Sequence, residues 1–399
     1  MSKKKVLIRA PLLTMSGYGV HSRQIFRWAI NNPNFDVKIH PLRWGECAWY
    51  VNQDLCNGLV GEIMRRAEDP NNPSKYDIAI SIQLPNEWTP NLGKFNIGVT
   101  ACVETDICNP SWIDNVNSMN LVIVPSHHTK EVFERTAVKN NKPITTRIIV
   151  IPESFPDEIL KNDNKFLDVN FETNFNFLLV SQLTGNNPYN DRKNTFFAIK
   201  WLCEQFREDK DVGVVIKTNS AKNCKIDRNQ TETILRQLLG EVRKTQFPKF
   251  YFLHGNMTDE EMCGLYKHPK IKCLLSLTRG EGFGLPILEA SASGLPIIAT
   301  NWSGYLDFLN QGKFIKINYN MNQIHESRVD NKIFIAGSKW ADPIEDDTKK
   351  KLLKFRERPQ IPFEWSQELK IKLQQKYSFE AISSIYTSVM KEYNVLDNT

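Results

Sequence analysis

Short apolar runs separated by stretches of helical periodicity organise the chain. The first half carries six such runs, at residues 6–10, 37–42, 77–82, 95–101, 121–125 and 147–151. They are continuous and rich in β-branched residues, as expected of parallel strands covered on both faces. Residues 157–176 lose periodicity and gather Asn, Asp and Lys, which marks a linker. The pattern restarts with runs at 177–181, 213–217, 251–254, 273–277 and 297–300, with helical segments at 194–207 and 259–267 between them. Two consecutive βαβα series predict an α/β protein with two doubly wound domains, residues 1–165 and 166–375. An apolar period near 3.6 over 377–393 predicts a terminal helix within 376–399, packing back toward the first domain. Ligands collect at the carboxyl ends of strands in such sheets, so one cleft between two facing sheets is expected.

Length supports the division, because 399 residues suit two or three domains. The 24% charged and 41% hydrophobic fractions exclude a largely disordered chain. A surplus of 51 basic over 45 acidic residues is too small to name a nucleic-acid partner, but it suits an anionic ligand. No run approaches the ~18 apolar residues of a membrane span. The opening MSKKKVLIRAPLL, broken at Arg9, reads as a first strand rather than a leader. Eight cysteines without a CxxC pair predict reduced thiols in a reducing, cytoplasmic compartment. Seven histidines show no HxxxH spacing, and no zinc site is legible; His127 and His128 are expected to cap a helix or face solvent. Asp209-Lys210-Asp211 has DxD spacing but falls in a charged turn, which predicts a solvated loop rather than a metal site.

The most informative string follows the run at 273–277: TRGEGFGLPILEASASGLPIIATNWSGYLDFL. Seven residues separate Glu281 from Glu289, about two helical turns. Gly282 and Gly284 let backbone approach a ligand closely, and Pro286 suits the first turn of a helix. Backbone amides of Gly282, Phe283, Gly284 and Leu285 at that helix start form a donor cluster for phosphate or sugar oxygens. With a carboxylate on each side, the segment suits hydroxyl groups around a phosphate.

The string resembles the Glu-x7-Glu signature of family-4-like, retaining GT-B glycosyltransferases, and ASGLPIIATNWSG resembles their EAMAxGxPVVATxxGG element. The resemblance implies a GT-B fold, two Rossmann-like domains facing across a cleft. Weaker likenesses extend along the chain. SGYGVHSR, with Gly17, Tyr18 and Gly19, resembles the family's N-terminal glycine loop. VIVPSHHTKEVF resembles its VPSxxxxxxF passage, and IIVIPESFPDEI its IPNGVD passage. Family members commonly grip the donor diphosphate with an Arg and a Lys. Here Lys193, with Arg192 beside it, matches the Lys, but the Arg position is Gln182 and an insertion separates the two. Lys217 is a candidate replacement for the missing charge. Many relatives carry a His after the strand facing the sugar; here Glu104 occupies that neighbourhood as a candidate acceptor or sugar contact. Relatives place the nucleobase near a turn matching Gly255 and Asn256, while Thr258 and Glu261 read as a structural capping box.

What the resemblance implies is sugar transfer from a nucleotide-sugar, a UDP- or GDP-sugar foremost, with retention at the anomeric carbon. Glu289 would hold ribose hydroxyls and Glu281 sugar hydroxyls. Lys193, Arg192 and Lys217 would neutralise the leaving diphosphate, so no metal or further cofactor is required. A glycan or lipid-linked glycan is the expected acceptor, with peripheral membrane contact through Lys3–Lys5 or the lysines of 349–354 as an option. A second reading is a phage-type enzyme acting on hydroxymethylated cytosine in DNA. There a flipped base would need aromatic contacts, for which Trp44, Trp49 and Trp112 are available. A third is an inactive GT-B protein that only binds nucleotide or carbohydrate, to which the Gln182 departure points. An epimerase is remote, because the string ends in NWSG.

Overall fold

The computed structural model describes residues 3–68, 75–161, 165–185 and 187–393; the end of the expected 376–399 segment lies outside them. The chain divides into two compact units. One runs from the N-terminus to Ser154 and takes back the segment from Phe379 onward; the other is Phe155–Ser378.

The first unit holds strands β1 (Lys4–Ala10), β2 (Phe35–Pro41), β3 (Tyr76–Ile82), β4 (Gly93–Val99), β5 (Leu121–Val124) and β6 (Ile148–Val150). Its helices are α1 (Gly17–Ile30), α2 (Leu59–Arg65), α3 (Ser111–Asn117) and α4 (His127–Lys139). All pairings are parallel, in the order β2-β1-β3-β4-β5-β6. The strand order reverses between β1 and β3, which is where such a sheet opens a crevice. Ser16 caps α1 by accepting from Gly19 N at 3.0 Å. A Cβ at Gly19 would lie 2.1 Å from Thr14 O, so only glycine fits this turn, whereas Gly17 has nothing within 4 Å.

The second unit alternates β7 (Phe175–Val180), α5 (Thr195–Gln205), β8 (Val212–Thr218), α6 (Lys225–Val242), β9 (Lys249–His254) and α7 (Asp259–Tyr266). It continues with β10 (Ile271–Ser276), α8 (Leu285–Ala292), β11 (Ile297–Thr300), α9 (Leu306–Leu309) and β12 (Ile315–Ile317). This sheet is also parallel, in the order β12-β11-β10-β7-β8-β9. Its switch point lies between β7 and β10. The core is aromatic: Phe177 is fully buried and stacks on Phe206 at 5.3 Å. Burying one such side chain contributes about 1.5–3 kcal/mol.

An antiparallel hairpin, β13 (Tyr319–Gln323) with β14 (Lys339–Pro343), follows this sheet. Then come α10 (Glu345–Glu357), α11 (Gln360–Lys376) and α12 (Phe379–Glu392). Helix α12 lies on α1 of the first unit: Trp28 Nε1 donates to Thr387 Oγ1 at 3.1 Å, and Arg27 sits 3.8 Å over the Phe379 ring. The first boundary falls ahead of residue 165 because the chain after Ser154 packs into the second unit. Ile159 is buried, and Glu158 O accepts a weak bond from Cys263 Sγ. The second falls after residue 375 because Tyr377 still contacts Gln311 and the Phe308 ring.

Three local expectations hold only in part. The turn carrying Asp209 and Asp211 is half-exposed, as expected, but it is also anchored. Arg356 of α10 donates to Asp209 at 2.9 Å, approaches Asp211 at 3.5 Å and lies over the Phe175 ring, so the turn is tied to a helix. His127 faces solvent, as expected, but neither histidine caps α4; Ser126 does, accepting from Thr129 N at 3.1 Å. His128 is buried instead, and burial pushes its imidazole down to about 3. The lysines of 349–354 are not all free to meet lipid, because Lys349 bonds Glu204 and Glu345 and Lys351 bonds Asp347.

All eight cysteines are unbridged. Among the described residues, no helix is long and apolar enough to cross a membrane. Nor do three or more His, Cys, Asp or Glu residues gather there in a metal-holding group.

Candidate functional site

The second unit concentrates its charged chemistry just past β7 and β10, at the switch point. Strand β10 ends at Ser276, and the chain turns through Leu277–Gly284 into α8. Gly284 takes φ 98° at the helix start, a left-handed conformation that a side chain would strain. Glu281 N donates to Ser303 Oγ and Glu281 O accepts from Gly304 N, so the NWSG passage fixes the turn from behind. The Phe283 side chain faces the core, 5.4 Å from the Phe308 ring, which leaves only its backbone for a ligand.

Two cations converge on Glu281. Lys193 Nζ donates to Oε1 at 2.6 Å, and Arg192 Nη1 stands 3.1 Å from Oε2. Thr278 Oγ1 adds a bond to Oε1 at 2.9 Å. Burial alone would raise this carboxyl, but Lys193 and Arg192 outweigh it and hold the group down at about 2. A carboxylate has about four acceptor positions. Three are already engaged, so Glu281 acts here mainly as the anchor of the two cations.

A second group surrounds Glu289, on α8. Tyr266 Oη donates to Glu289 Oε2 at 2.9 Å. Burial, with the charge of Asp259 adding to it, pushes Glu289 up to about 8 against the opposing effects of Tyr266 and Lys217. Burial likewise pulls Lys217 down to about 8, although Glu289 and Glu261 favour its charge. Its ammonium donates to Gly255 O at 2.8 Å. Lys217 therefore belongs with Glu289 and the Gly255 turn, whereas Glu281 takes its charge partners from the loop before α5. Asn256 accepts from Asn223 Nδ2 at 2.8 Å, and Thr258 with Glu261 forms the expected capping box. Gln182 is exposed and donates to Asn219 at 2.5 Å.

In the first unit, Tyr18 Oη meets Thr100 Oγ1 at 2.9 Å and accepts from Ala101 N, while its ring stacks on Trp44 at 4.0 Å. Gly17 and Gly19 lie within the first turn of α1, beside this pair. Glu104, half-buried after β4, is close enough for its charge to disfavour ionisation of Tyr18. Trp112 is fully buried, which removes it as a stacking surface, and Trp49 is partly exposed.

Sequence reading missed several residues that shape the second-unit site. Tyr266, on Glu289, is the last residue of α7, at the opposite end from the capping box. Asp191 is buried and its carboxylate accepts from Thr184, Lys193 N and Thr195 N, which folds the insertion ahead of α5. Arg279, inside the quoted TRGEGFG string, is buried and bonds Asp342 of β14.

Residues 236–330 match the family of glycosyl transferases group 1, a segment containing Glu281, Glu289 and the Gly255 turn. No curated protein sequence matches the chain. Among solved structures, it resembles a glycosyltransferase from Rickettsia africae ESF-5, at 15% identity over 100% of both chains with a TM-score of 0.68. It also resembles a trehalose-6-phosphate synthase studied through bisubstrate glycomimetics for glycosyltransfer with retention. That match is 10% identical over 98% of this chain and 99% of the other, with a TM-score of 0.58. A third is the Anabaena protein HepE in complex with UDP-glucose, 12% identical over 98% of this chain and 100% of the other, with a TM-score of 0.54. At such identities these likenesses give the fold, which is GT-B, two Rossmann-like units. Together with the group 1 segment they support a GT-B glycosyltransferase.

Proposed function

We propose that the protein moves a sugar from a nucleoside-diphosphate sugar, UDP- or GDP-linked, to an acceptor hydroxyl with retention at the anomeric carbon. The observation that carries this is the convergence of Lys193 and Arg192 on Glu281 at the switch point of the second unit. A leaving diphosphate gains charge as the glycosidic bond breaks, and fixed cations aimed at it lower the barrier. Glu281 keeps both cations in register before the donor arrives, so little reorganisation accompanies the reaction. The amides at the α8 start, from Gly282 to Leu285, suit the oxygens of the donor.

Glu289, with Tyr266 and Lys217 around it, suits a ribose diol, and the adjoining Gly255–Asn256 turn suits the base. The retaining outcome draws support from the Glu-x7-Glu spacing and, at the level of fold, from the trehalose-6-phosphate synthase likeness. In a same-face mechanism the leaving phosphate oxygen takes the acceptor proton, so no separate general base is needed. The acceptor is a glycan or lipid-linked glycan, with Glu104 of the first unit as its contact.

Incubation with UDP-, GDP- and ADP-sugars tests the proposal. Release of the matching nucleoside diphosphate, abolished or strongly reduced in Lys193→Ala, is expected. Binding without turnover of any donor would favour a binding protein, and neither binding nor turnover would refute the donor site.

A further inference from the structure

Arg192 and Lys193 end an insertion whose sequence, TGNNPYND, has no apolar residues to bury besides Pro188 and Tyr189. Holding such a loop costs backbone entropy of about 1–2 kcal/mol per residue, so contacts beyond those of Asp191 help to fix the cations. Arg279 does this from several directions. Its Nη1 donates to Pro188 O at 3.0 Å and Asp191 O at 2.7 Å. Its own amide donates to Arg192 O at 2.9 Å, and its carbonyl accepts from Ala341 N at 3.0 Å. Its Nε is paired with Asp342, whose other oxygen accepts from Asn322 Nδ2 at 2.8 Å. The Trp340 ring lies 5.2 Å from the guanidinium.

The same hairpin region grips the other side of the insertion. Arg328 Nη1 donates to Thr184 O at 2.8 Å, and Asn190 Nδ2 donates to Ser327 Oγ at 2.8 Å. Arg279 is two residues from Glu281 and is bonded directly to the backbone of Arg192. Both halves of the ion-paired cluster are thus anchored on one buried residue.

We infer that Arg279, locked to Asp342 of the β13–β14 hairpin, is a positioning residue that sets Arg192 and Lys193 for the donor diphosphate. The inference rests on the donor reading of the site. A guanidinium is required, because a lysine carries the charge but cannot span Asp342 and two loop carbonyls with one rigid fork. Displacement of a catalytic group by about 1 Å costs up to about 100-fold.

The test is a comparison of nucleoside diphosphates with their nucleosides. Titration calorimetry measures UDP, GDP and ADP against uridine, guanosine and adenosine on wild type, Lys193→Ala, Arg279→Lys and the double variant. Asp342→Asn is included as a milder lesion should Arg279→Lys fold poorly. For the base that binds, Arg279→Lys is expected to shrink the affinity advantage of diphosphate over nucleoside by about tenfold or more. Nucleoside affinity should stay within about threefold of wild type. Asp342→Asn should follow in the same direction. In the Lys193→Ala background, Arg279→Lys should add less than it costs alone, because only its effect through Arg192 remains.

Equal losses for nucleoside and diphosphate, an unchanged ratio, or full additivity with Lys193→Ala would each overturn the positioning role. If Lys193→Ala itself leaves the ratio unchanged, or no nucleotide binds, the donor reading fails first and the inference falls with it.

Discussion

Lys193 Nζ donates to Glu281 Oε1 at 2.6 Å across an interval of 88 residues, joining the loop before α5 to the turn before α8. The ammonium has three donors, so one bond to the carboxylate leaves capacity for a phosphate oxygen. Lys193→Ala is therefore expected to lower kcat by about 100- to 1000-fold, because a donor aimed at developing charge acts chiefly in the transition state. The donor KM should change far less. Steady-state kinetics with a large KM change and unaltered kcat would move Lys193 to a binding role.

Acid stability should report the same pair. The Glu281 carboxyl, held at about 2, lies below its ordinary value of 4.5. Between those values the unfolded chain binds more protons than the folded one, so stability rises with pH. This contribution is present above about 4.5 and is lost as pH falls towards about 2. It amounts to at most about 3 kcal/mol. Urea unfolding at several pH values should show a shallower acid limb for Glu281→Gln than for wild type; identical slopes would deny the pairing.

Glu289 predicts the opposite sign. Its carboxyl is pushed up to about 8, so between 4.5 and about 8 the folded state binds the extra proton and stability falls as pH rises. Lys217, pulled down to about 8, works the other way from about 8 to 10.5. Glu289→Gln should flatten the decline between pH 5 and 8 in the same unfolding series. The variant should also raise the donor KM by about 10-fold or more with little loss of kcat, since a ribose contact is made equally in ground and transition states. An unaltered KM would remove Glu289 from the ribose.

The glycine turn before α1 separates two residues that the sequence presents as equivalent. Gly19→Ala brings a methyl onto Thr14 O and should destabilise by about 1–3 kcal/mol. Gly17→Ala meets nothing and should stay within about 1 kcal/mol of wild type. Thermal unfolding of the two variants distinguishes them directly.

These residues also show where sequence reading stops. The parallel strands were legible because runs such as VGVVIKT are buried along their whole length, and the Glu281/Glu289 spacing stood on one strand–turn–helix. The hairpin β13–β14 was not, since YNMNQ pairs a polar, largely solvent-facing strand that hydropathy cannot separate from a loop. Without that hairpin, the partner of Arg279 had no location, and the insertion before Lys193 read as an interruption of the family pattern. The tie between Asp209 and Arg356 spans 147 residues, so a local charged turn gave no sign of it. Pairings that depend on distant chain returning to one place are set by tertiary packing, not by local periodicity.

Retaining transfer from a nucleoside-diphosphate sugar leaves its mark on the anomeric configuration of the first product. The most direct measurement is a proton NMR time course of the protein with the α-linked nucleotide-sugar that it binds, following the anomeric signal of the first sugar released or transferred. Release of the nucleoside diphosphate in step with an α-configured product, before mutarotation, is expected, with its near loss in Lys193→Ala. A first-formed β product, or no diphosphate release from any bound donor, would contradict it.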